Sequence, residues 1–476
     1  MNEVAAVISE QNIPEIFKLQ EKKKWLLRKT GARERKEKLK RLLAAVNAHQ
    51  PQIHDALYAD LKKPAAETDI SEIYTVTTEI KHALKHIGRW MQPRRVASPV
   101  TFFGYRAKIQ YEPRGTALII SPWNYPFQLA LAPLISAVAA GNSVILKPSE
   151  LAPNTSALLK KIAGEVFDPS EVAVVEGDAT VAQELLQLPF DHIFFTGSPR
   201  VGKIVMEAAA RHLTSVTLEL GGKSPAYIAP DANVKEAARK IVWGKFLNAG
   251  QTCVAPDYLL VHPEMETSLV KYLIESIENY YGKTPEEIRK EGNYAGIIND
   301  AHFNRLRNLF DGAVKSGARA AYGGWFDHTS RFIAPTILTD VTADNPVMTQ
   351  EIFGPILPVL RCGGVEEAIE LINSLPEPLD LYFFGKTDHH FKELVKSTRT
   401  GAVCANDAVI QFSHCNLPFG GIKNSGMGNS HGFFGFRAFS HERPILKSPR
   451  ITAIRLLYPP YTKRVRNLIK MTMKFF

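Results

Sequence analysis

A chain of 476 residues with 45% hydrophobic and 22% charged positions is long enough for two or three substantial cores and ordinary in its balance for a globular protein. Its net charge of +10 invites a nucleic-acid or membrane partner, but much of the excess sits in "KLQEKKKWLLRKTGARERKEKLKRLL" and in the final "YTKRVRNLIKMTMKFF". Four cysteines without a C-x-x-C pair exclude a disulfide scaffold and give no metal site, no run of about 18 apolar residues offers a membrane span, and "MNEVAAVISEQNIPEIF" lacks the layout of a secretory signal, so a cytoplasmic protein is the default.

From 19 to 92 apolar residues recur every three to four positions, which predicts helices, with the first basic stretch as a solvated face. "TFFGYRAKIQYEPRG" alternates polar and apolar residues and reads as one or two strands outside that block. From Thr116 come short apolar strands, "TALIIS", "SVILKP", "VAVVEG", "HIFFTG" and "VTLELGG", with helical stretches at 127–140, 156–166 and 200–212. Strands apolar on both faces and separated by helices mean a parallel sheet covered on both sides, with ligands beyond the strands' carboxyl ends. After Pro225 a second α/β series begins: "AYIAP", a helix over 233–247, "DYLLVHP", a helix over 264–280, then "APTILTD", "PILPVLR" and "LYFFGK". "ERPILKSPRITAIRL" reads as a further outlying strand. In the tail, Val465, Leu468, Ile469, Met473 and Phe476 fall near one helical stripe, away from Lys463, Arg464, Arg466, Lys470 and Lys474. An amphipathic helix docked on the protein, a lid over the substrate funnel and an anchor for anionic lipid all fit that stripe.

In "HIFFTGSPRVGKIV" the residues Gly197, Gly202 and Lys203 nearly complete a triphosphate loop, but Ile204 stands where a magnesium-binding hydroxyl is needed. ATPase and GTPase chemistry is thereby excluded. A strand, a turn and a helix N-terminus still suit a pyrophosphate, a plain connecting turn being the alternative. Cys253 in "NAGQTCVAPD" follows a predicted helix; a lone cysteine is usually inert, and a nucleophilic one needs a base and an oxyanion donor. Glu219 in "TLELGGKSP" ends a strand where a desolvated carboxylate can serve as base, and Asn124 in "SPWNYPF" is an amide held between prolines. Lys147 and Glu150 in "LKPSE" follow another strand, in place to meet ribose hydroxyls.

Taken together, "PWNYP", "KPSE", "FTGSPRVGK", "LELGGKSP", "GQTC", "EIFGP" and "LPFGGIKNSGMG" resemble the motif series of the NAD(P)-dependent aldehyde dehydrogenases, and most nearly its class 3 and fatty aldehyde branch, given "FSHERPILKS". The resemblance runs from about Phe17 to Pro460. It implies an NAD(P)-binding Rossmann-like domain (1–94 and 116–220), a catalytic domain (221–430), a small β oligomerisation arm (95–115 and 431–457) and the tail 458–476. It also implies Cys253 as nucleophile, Asn124 as oxyanion donor and Glu219 as hydrolytic base. Gly197, Ser198, Val201 and Gly202 would lie along the pyrophosphate, Lys147 and Glu150 at the adenosine ribose, Glu351 and Phe353 at the nicotinamide ribose and ring. The implied activity is oxidation of medium- or long-chain aliphatic or aromatic aldehydes to acids by a homodimer, with NAD preferred and some use of NADP. Neither a single-strand platform nor a recognition helix supports a nucleic-acid partner.

Overall fold

The computed structural model describes residues 12–475; the start of the chain and Phe476 lie outside them, and with them the reading of the opening segment and Phe476's place on the tail stripe. Four helices, Ile13–Leu27, Ala32–Ala48, Gln50–Leu61 and Tyr74–Trp90, form the first block. Tyr74–Trp90 buries Val76, Ile80, Ala83, Ile87 and Trp90, the spacing of one helical face. Between the last two helices lie Ala65–Thr68 and a π-helical turn, Asp69–Ile73, a feature often found beside functional sites.

The block packs on a six-stranded sheet ordered Gly426–Met427, Ser215–Leu220, His192–Gly197, Thr116–Ile120, Ser143–Lys147, Val172–Val174. Five strands are parallel. Successive crossovers run outward from Thr116–Ile120 first to one side and then to the other, so that strand marks the topological switch point. Register pairs Ile120 with both Lys147 and Phe195, which aligns the carboxyl ends of three strands along one crevice. The second sheet has seven strands in the order Arg319–Tyr322, Thr336–Thr339, Ile356–Arg361, Tyr258–Val261, Pro225–Ile228, Asp380–Phe384, Ala402–Ala405, all parallel except the first pair. Its central strands are buried on both faces, around Tyr258, Tyr382 and Phe383. The fold is therefore α/β, with a small antiparallel arm in which Arg106–Pro113 pairs with Arg94–Val96 on one side and with Ser440–Lys447 on the other.

Three stretches lie differently from the sequence reading. Gly426–Met427, inside the span assigned to the catalytic domain, crosses back and pairs antiparallel with the strand of Glu219. The helix Gly432–Ala438, inside the span assigned to the arm, packs on Gln128–Ala140; Gly435 permits this, because a Cβ there would lie 2.3 Å from Ser136 Oγ. The outlying strand stops at Lys447, and Ala453–Leu457 is a short 3-10 helix, since Pro449 has no N–H to continue a ladder.

Candidate active site

After the helix Val234–Phe246 the chain takes three consecutive left-handed residues, Asn248 (φ 53), Ala249 (φ 51) and Gly250 (φ 74). Such a run is strained for residues with a Cβ and persists only when its surroundings hold it. Here they do. The Asn248 backbone N–H donates to Glu67 (3.0 Å), and its side-chain amide donates to the carbonyls of Asn124 (2.8 Å) and Gln251 (3.2 Å). The Gln251 side chain donates to the carbonyls of Asn248 and Gly296 (both 3.0 Å) and accepts from the Ile298 N–H (3.1 Å). Thr252 meets the Tyr125 hydroxyl at 2.6 Å. This scaffold presents Cys253, half-buried, to a cleft of about 850 Å³ between the two sheets, at the upper end of the range for small-molecule sites. Burial first, then the carboxylates Glu351, Asp380 and Glu219, raise the Cys253 pKa above the ordinary thiol range. The sulfur therefore rests as the thiol and needs a proton acceptor before it can attack.

Glu219 is a candidate. It lines the same cleft from the end of Ser215–Leu220, is 6% exposed, and neither carboxylate oxygen has a hydrogen-bond partner. Burial pushes its pKa up to about 8, with Asp380 adding to the shift and the Ser430 hydroxyl opposing it. A carboxylate so placed is a competent base near neutral pH. Asn124 sits in the turn between Thr116–Ile120 and Gln128–Ala140, and its side-chain amide donates to the Gln251 carbonyl (3.0 Å), which leaves the second N–H for an incoming oxyanion. Its own carbonyl accepts from Lys63 Nζ (3.1 Å), and Lys63 in turn pairs with Glu72 (2.5 Å), both side chains fully buried.

Along the other half of the cleft, Gly197 closes His192–Gly197 and Ser198 caps the helix Pro199–Ala210, accepting weakly from the Val201 N–H (3.4 Å). A Cβ on Gly197 would lie 2.5 Å from the Phe195 ring of its own strand, and one on Gly202 would lie 2.7 Å from Leu220, so the helix meets the sheet there only because that residue is glycine. The result is an open helix N-terminus at the switch point, which suits a pyrophosphate. Glu150 is exposed at this rim, and the buried Lys147 turns its ammonium to the Pro148 carbonyl (2.8 Å) and to Glu150 (3.2 Å). Glu351 and Phe353 (φ 48) face the cleft from the opposite wall, with Phe353 edge-on to Trp123 at 5.4 Å. Glu351 lies against Gly221, where a Cβ would come within 2.1 Å of Oε2, and burial followed by Asp257 raises its pKa to about 8. The crevice and the glycine-lined helix start fit a dinucleotide.

Residues 4–445 match the sequence profile of the aldehyde dehydrogenase family. The chain belongs to the aldehyde dehydrogenase family. Among curated aldehyde dehydrogenases it is 44% identical to aldehyde dehydrogenase family 3 member B1 of Homo sapiens, over 89% of each chain. It is 43% identical to the 4,4'-diaponeurosporen-aldehyde dehydrogenase of Staphylococcus aureus, over 91% of this chain and 93% of that one. The substrate-bound structure of Staphylococcus aureus AldH superposes with a TM-score of 0.92 at 39% identity, covering 97% of this chain and all of the other. An NAD-dependent aldehyde dehydrogenase from Sinorhizobium meliloti superposes with a TM-score of 0.85 at 27% identity, over 95% and 90% of the two chains.

For an aldehyde dehydrogenase site, several supporting residues escape a motif reading. Lys63, Glu67 and Glu72 lie in "KKPAAETDISE", an ordinary-looking charged stretch, yet Glu67 and Glu72 are buried and hold the cysteine loop and the Gln128 N–H respectively. The available signal was charge on the inward face of a helical segment. His302, tilted against Trp123 at 4.8 Å and held neutral by burial with a pKa lowered to about 4, had no sequence signal.

Proposed function

We propose that this aldehyde dehydrogenase oxidises apolar aldehydes through Cys253, Asn124 and Glu219, on the strength of one observation: a buried, unpartnered Glu219 carboxylate shares its cleft with the Cys253 thiol. Glu219 takes the thiol proton, the sulfur adds to the aldehyde carbon, and the free N–H of Asn124 and the Cys253 backbone N–H receive the oxyanion. NAD(P), when bound, supplies the acceptor for the hydride that leaves this thiohemiacetal and makes it a thioester. Once the thiol proton has left for solvent, Glu219 deprotonates the water that hydrolyses the thioester, the C–S bond breaks with its electron pair on Cys253 sulfur, the sulfur is protonated again, and the acid departs. An acylating dehydrogenase that passes its acyl group to coenzyme A would leave the base without a task.

A second, small cavity beside Cys253, walled by Leu129, Pro133, Phe194, Leu379 and Phe419 and with room for a water only, makes the surroundings of the thiol apolar, which favours an aliphatic or aromatic aldehyde. The exposed Glu150 at the ribose end favours NAD, since a 2′-phosphate would set like charges together. The first unit, 1–94 with 116–220, would hold the cofactor and 221–430 the thiol. The arm, with Phe103 in the turn between its strands 89% exposed and Leu446 53% exposed, supports a homodimer joined through that surface.

Among the described residues no helix is long and apolar enough to cross a membrane. The helix Lys463–Phe475 has no buried residue, with Met473 79% and Phe475 67% exposed, which favours an anionic lipid surface over docking on its own chain.

The deciding experiment follows reduced-cofactor formation with NAD and a panel of short, long-chain and aromatic aldehydes, in native protein and in Cys253→Ala. Turnover that vanishes in the variant is expected. Turnover that survives, or none in the native enzyme despite NAD binding, would overturn the assignment.

A further inference from the structure

Each turnover leaves Glu219 carrying a proton it must lose, and a buried carboxyl with no hydrogen-bond partner has no obvious route to solvent. The small cavity behind Cys253 supplies its first step. With about 30 Å³ of accessible space, it has room for a water, and Glu219, Ser430 and His431 all line it. Ser430 Oγ donates to the Phe419 carbonyl (3.3 Å) and faces Glu219. His431 is held at φ 66, a strained backbone for a residue with a Cβ, and its ring lies on Phe419 at 5.5 Å.

Behind His431 stands Glu79, 4% exposed, 3.8 Å from His431 Nδ1 and accepting the Gly432 N–H at 2.7 Å. Burial would raise the Glu79 pKa, but His431, Gly432 and His82 outweigh it and hold the group ionised. Next come His82 and His86, ring centroids 4.5 Å apart, both reaching toward the surface. Cys415 also faces Glu79, and Lys85 faces His82. A titratable chain thus runs from the cavity wall to solvent.

We propose that His431 and Glu79 relay the hydrolytic proton from Glu219 to His82 and His86 and so to solvent. The proposal rests on Glu219 as the hydrolytic base. Glu219 takes one proton from water as the water oxygen bonds to the thioester carbon; the C–S bond breaks with its electron pair returning to Cys253 sulfur. The proton on Glu219 passes through cavity water to the His431 imidazole, which releases one to Glu79 and the outer histidines. Glu219 sheds two protons by this route in a turnover, the thiol proton before hydrolysis and the water proton after it, and Cys253 sulfur takes one back to rest as the thiol, so one proton is released net and no other reactant is consumed. His431 and Glu79 are positioning and relay groups, and Cys253 and Glu219 keep the bond-making roles.

The test uses the full-length enzyme with NAD and an aldehyde it turns over, comparing His431→Gln, Glu79→Gln and Glu219→Gln. Glu79 does not line the cavity, and Gln keeps an acceptor for the Gly432 N–H, so its variant removes the charge while the backbone beside the cavity stays held. Both relay variants are expected to accumulate acyl-enzyme on Cys253, seen by mass spectrometry of quenched samples, and to lose roughly tenfold or more in kcat with the first NADH burst preserved. Added imidazole should restore His431→Gln. Native kcat in both relay variants while Glu219→Gln stalls overturns the relay alone. A burst that falls with kcat, with no rescue by imidazole, reduces His431 to a wall of the pocket and also overturns it. Native turnover in Glu219→Gln removes the base and the relay together.

Discussion

The side-chain amide of Asn124 donates to the backbone carbonyl of Gln251 at 3.0 Å, a bond that joins a strand-to-helix turn of one sheet to the cysteine loop of the other. The Asn124 turn and the Cys253 loop are thereby positioned by one another. Replacing Asn124 with Ala removes both the proposed oxyanion donor and this tie. We expect kcat to fall roughly 10²- to 10³-fold, the loss typical of one oxyanion-hole donor, with NAD affinity retained, as read by steady-state kinetics and NAD titration.

Glu219→Gln should abolish steady-state turnover, and native kcat should climb with pH toward the Glu219 pKa of about 8 as the base ionises. Stability runs the other way. Glu219 and Glu351 at about 8, and Asp380 and Glu67 at about 7, are raised by burial above their unfolded values. Between the unfolded pKa and the folded one, the folded chain holds protons that the unfolded chain has released, so stability falls as pH rises through that window. The cofactor-free enzyme should show a falling Tm from pH 5 to 8, less steeply in Glu219→Gln. A flat profile would contradict the burial argument.

Gly250→Ala meets two obstacles: φ 74, and a Cβ 2.3 Å from the Gly354 carbonyl oxygen. The cost should exceed about 1 kcal/mol, and the loop rather than the whole fold should yield first. Reduced labelling selectivity of Cys253, together with lowered Tm, would show it.

Lys63→Met severs a fully buried ion pair with Glu72 and the donor to the Asn124 carbonyl. Breaking one partner of such a pair costs about 3–5 kcal/mol, visible in urea unfolding. Lys63→Met combined with Glu72→Leu should recover much of that stability while kcat stays lowered, because the Asn124 carbonyl keeps only one of its two donors, the Asn248 amide.

Truncation after Pro460 removes a helix with no buried residue, so Tm should not move. Pelleting with vesicles rich in anionic lipid should be lost, and recovered by neither salt-free buffer nor neutral vesicles. Loss of stability on truncation would show instead that the helix docks on protein.

Much of the fold could be read from residues because its periodicities are clean: "HIFFTG" and "SVILKP" are apolar on both faces and prove to be interior strands, paired on each side. The sheet-edge strand Gly426–Met427 was hidden because two residues between glycine-rich turns carry no period at all. The candidate cofactor and thiol residues fell in short motifs at strand ends, where local sequence dictates local geometry. Lys63, Glu72 and His431 did not, because their positions depend on contacts between distant elements: Lys63 reaches Asn124 across 61 residues, and His431 meets Glu79 only when the chain has returned from the second sheet. Such buried polar networks are tertiary in origin and leave no local trace.

The return of Gly426–Met427 to the strand of Glu219 also bears on how the enzyme is born. A ribosome delivers Ser215–Leu220 long before its edge partner, so the nascent six-stranded sheet carries a bare margin at the very strand that holds Glu219. Until the last tenth or so of the chain emerges, that margin is open to pairing with a neighbouring polypeptide, and shielding by a holding chaperone during translation would favour correct closure.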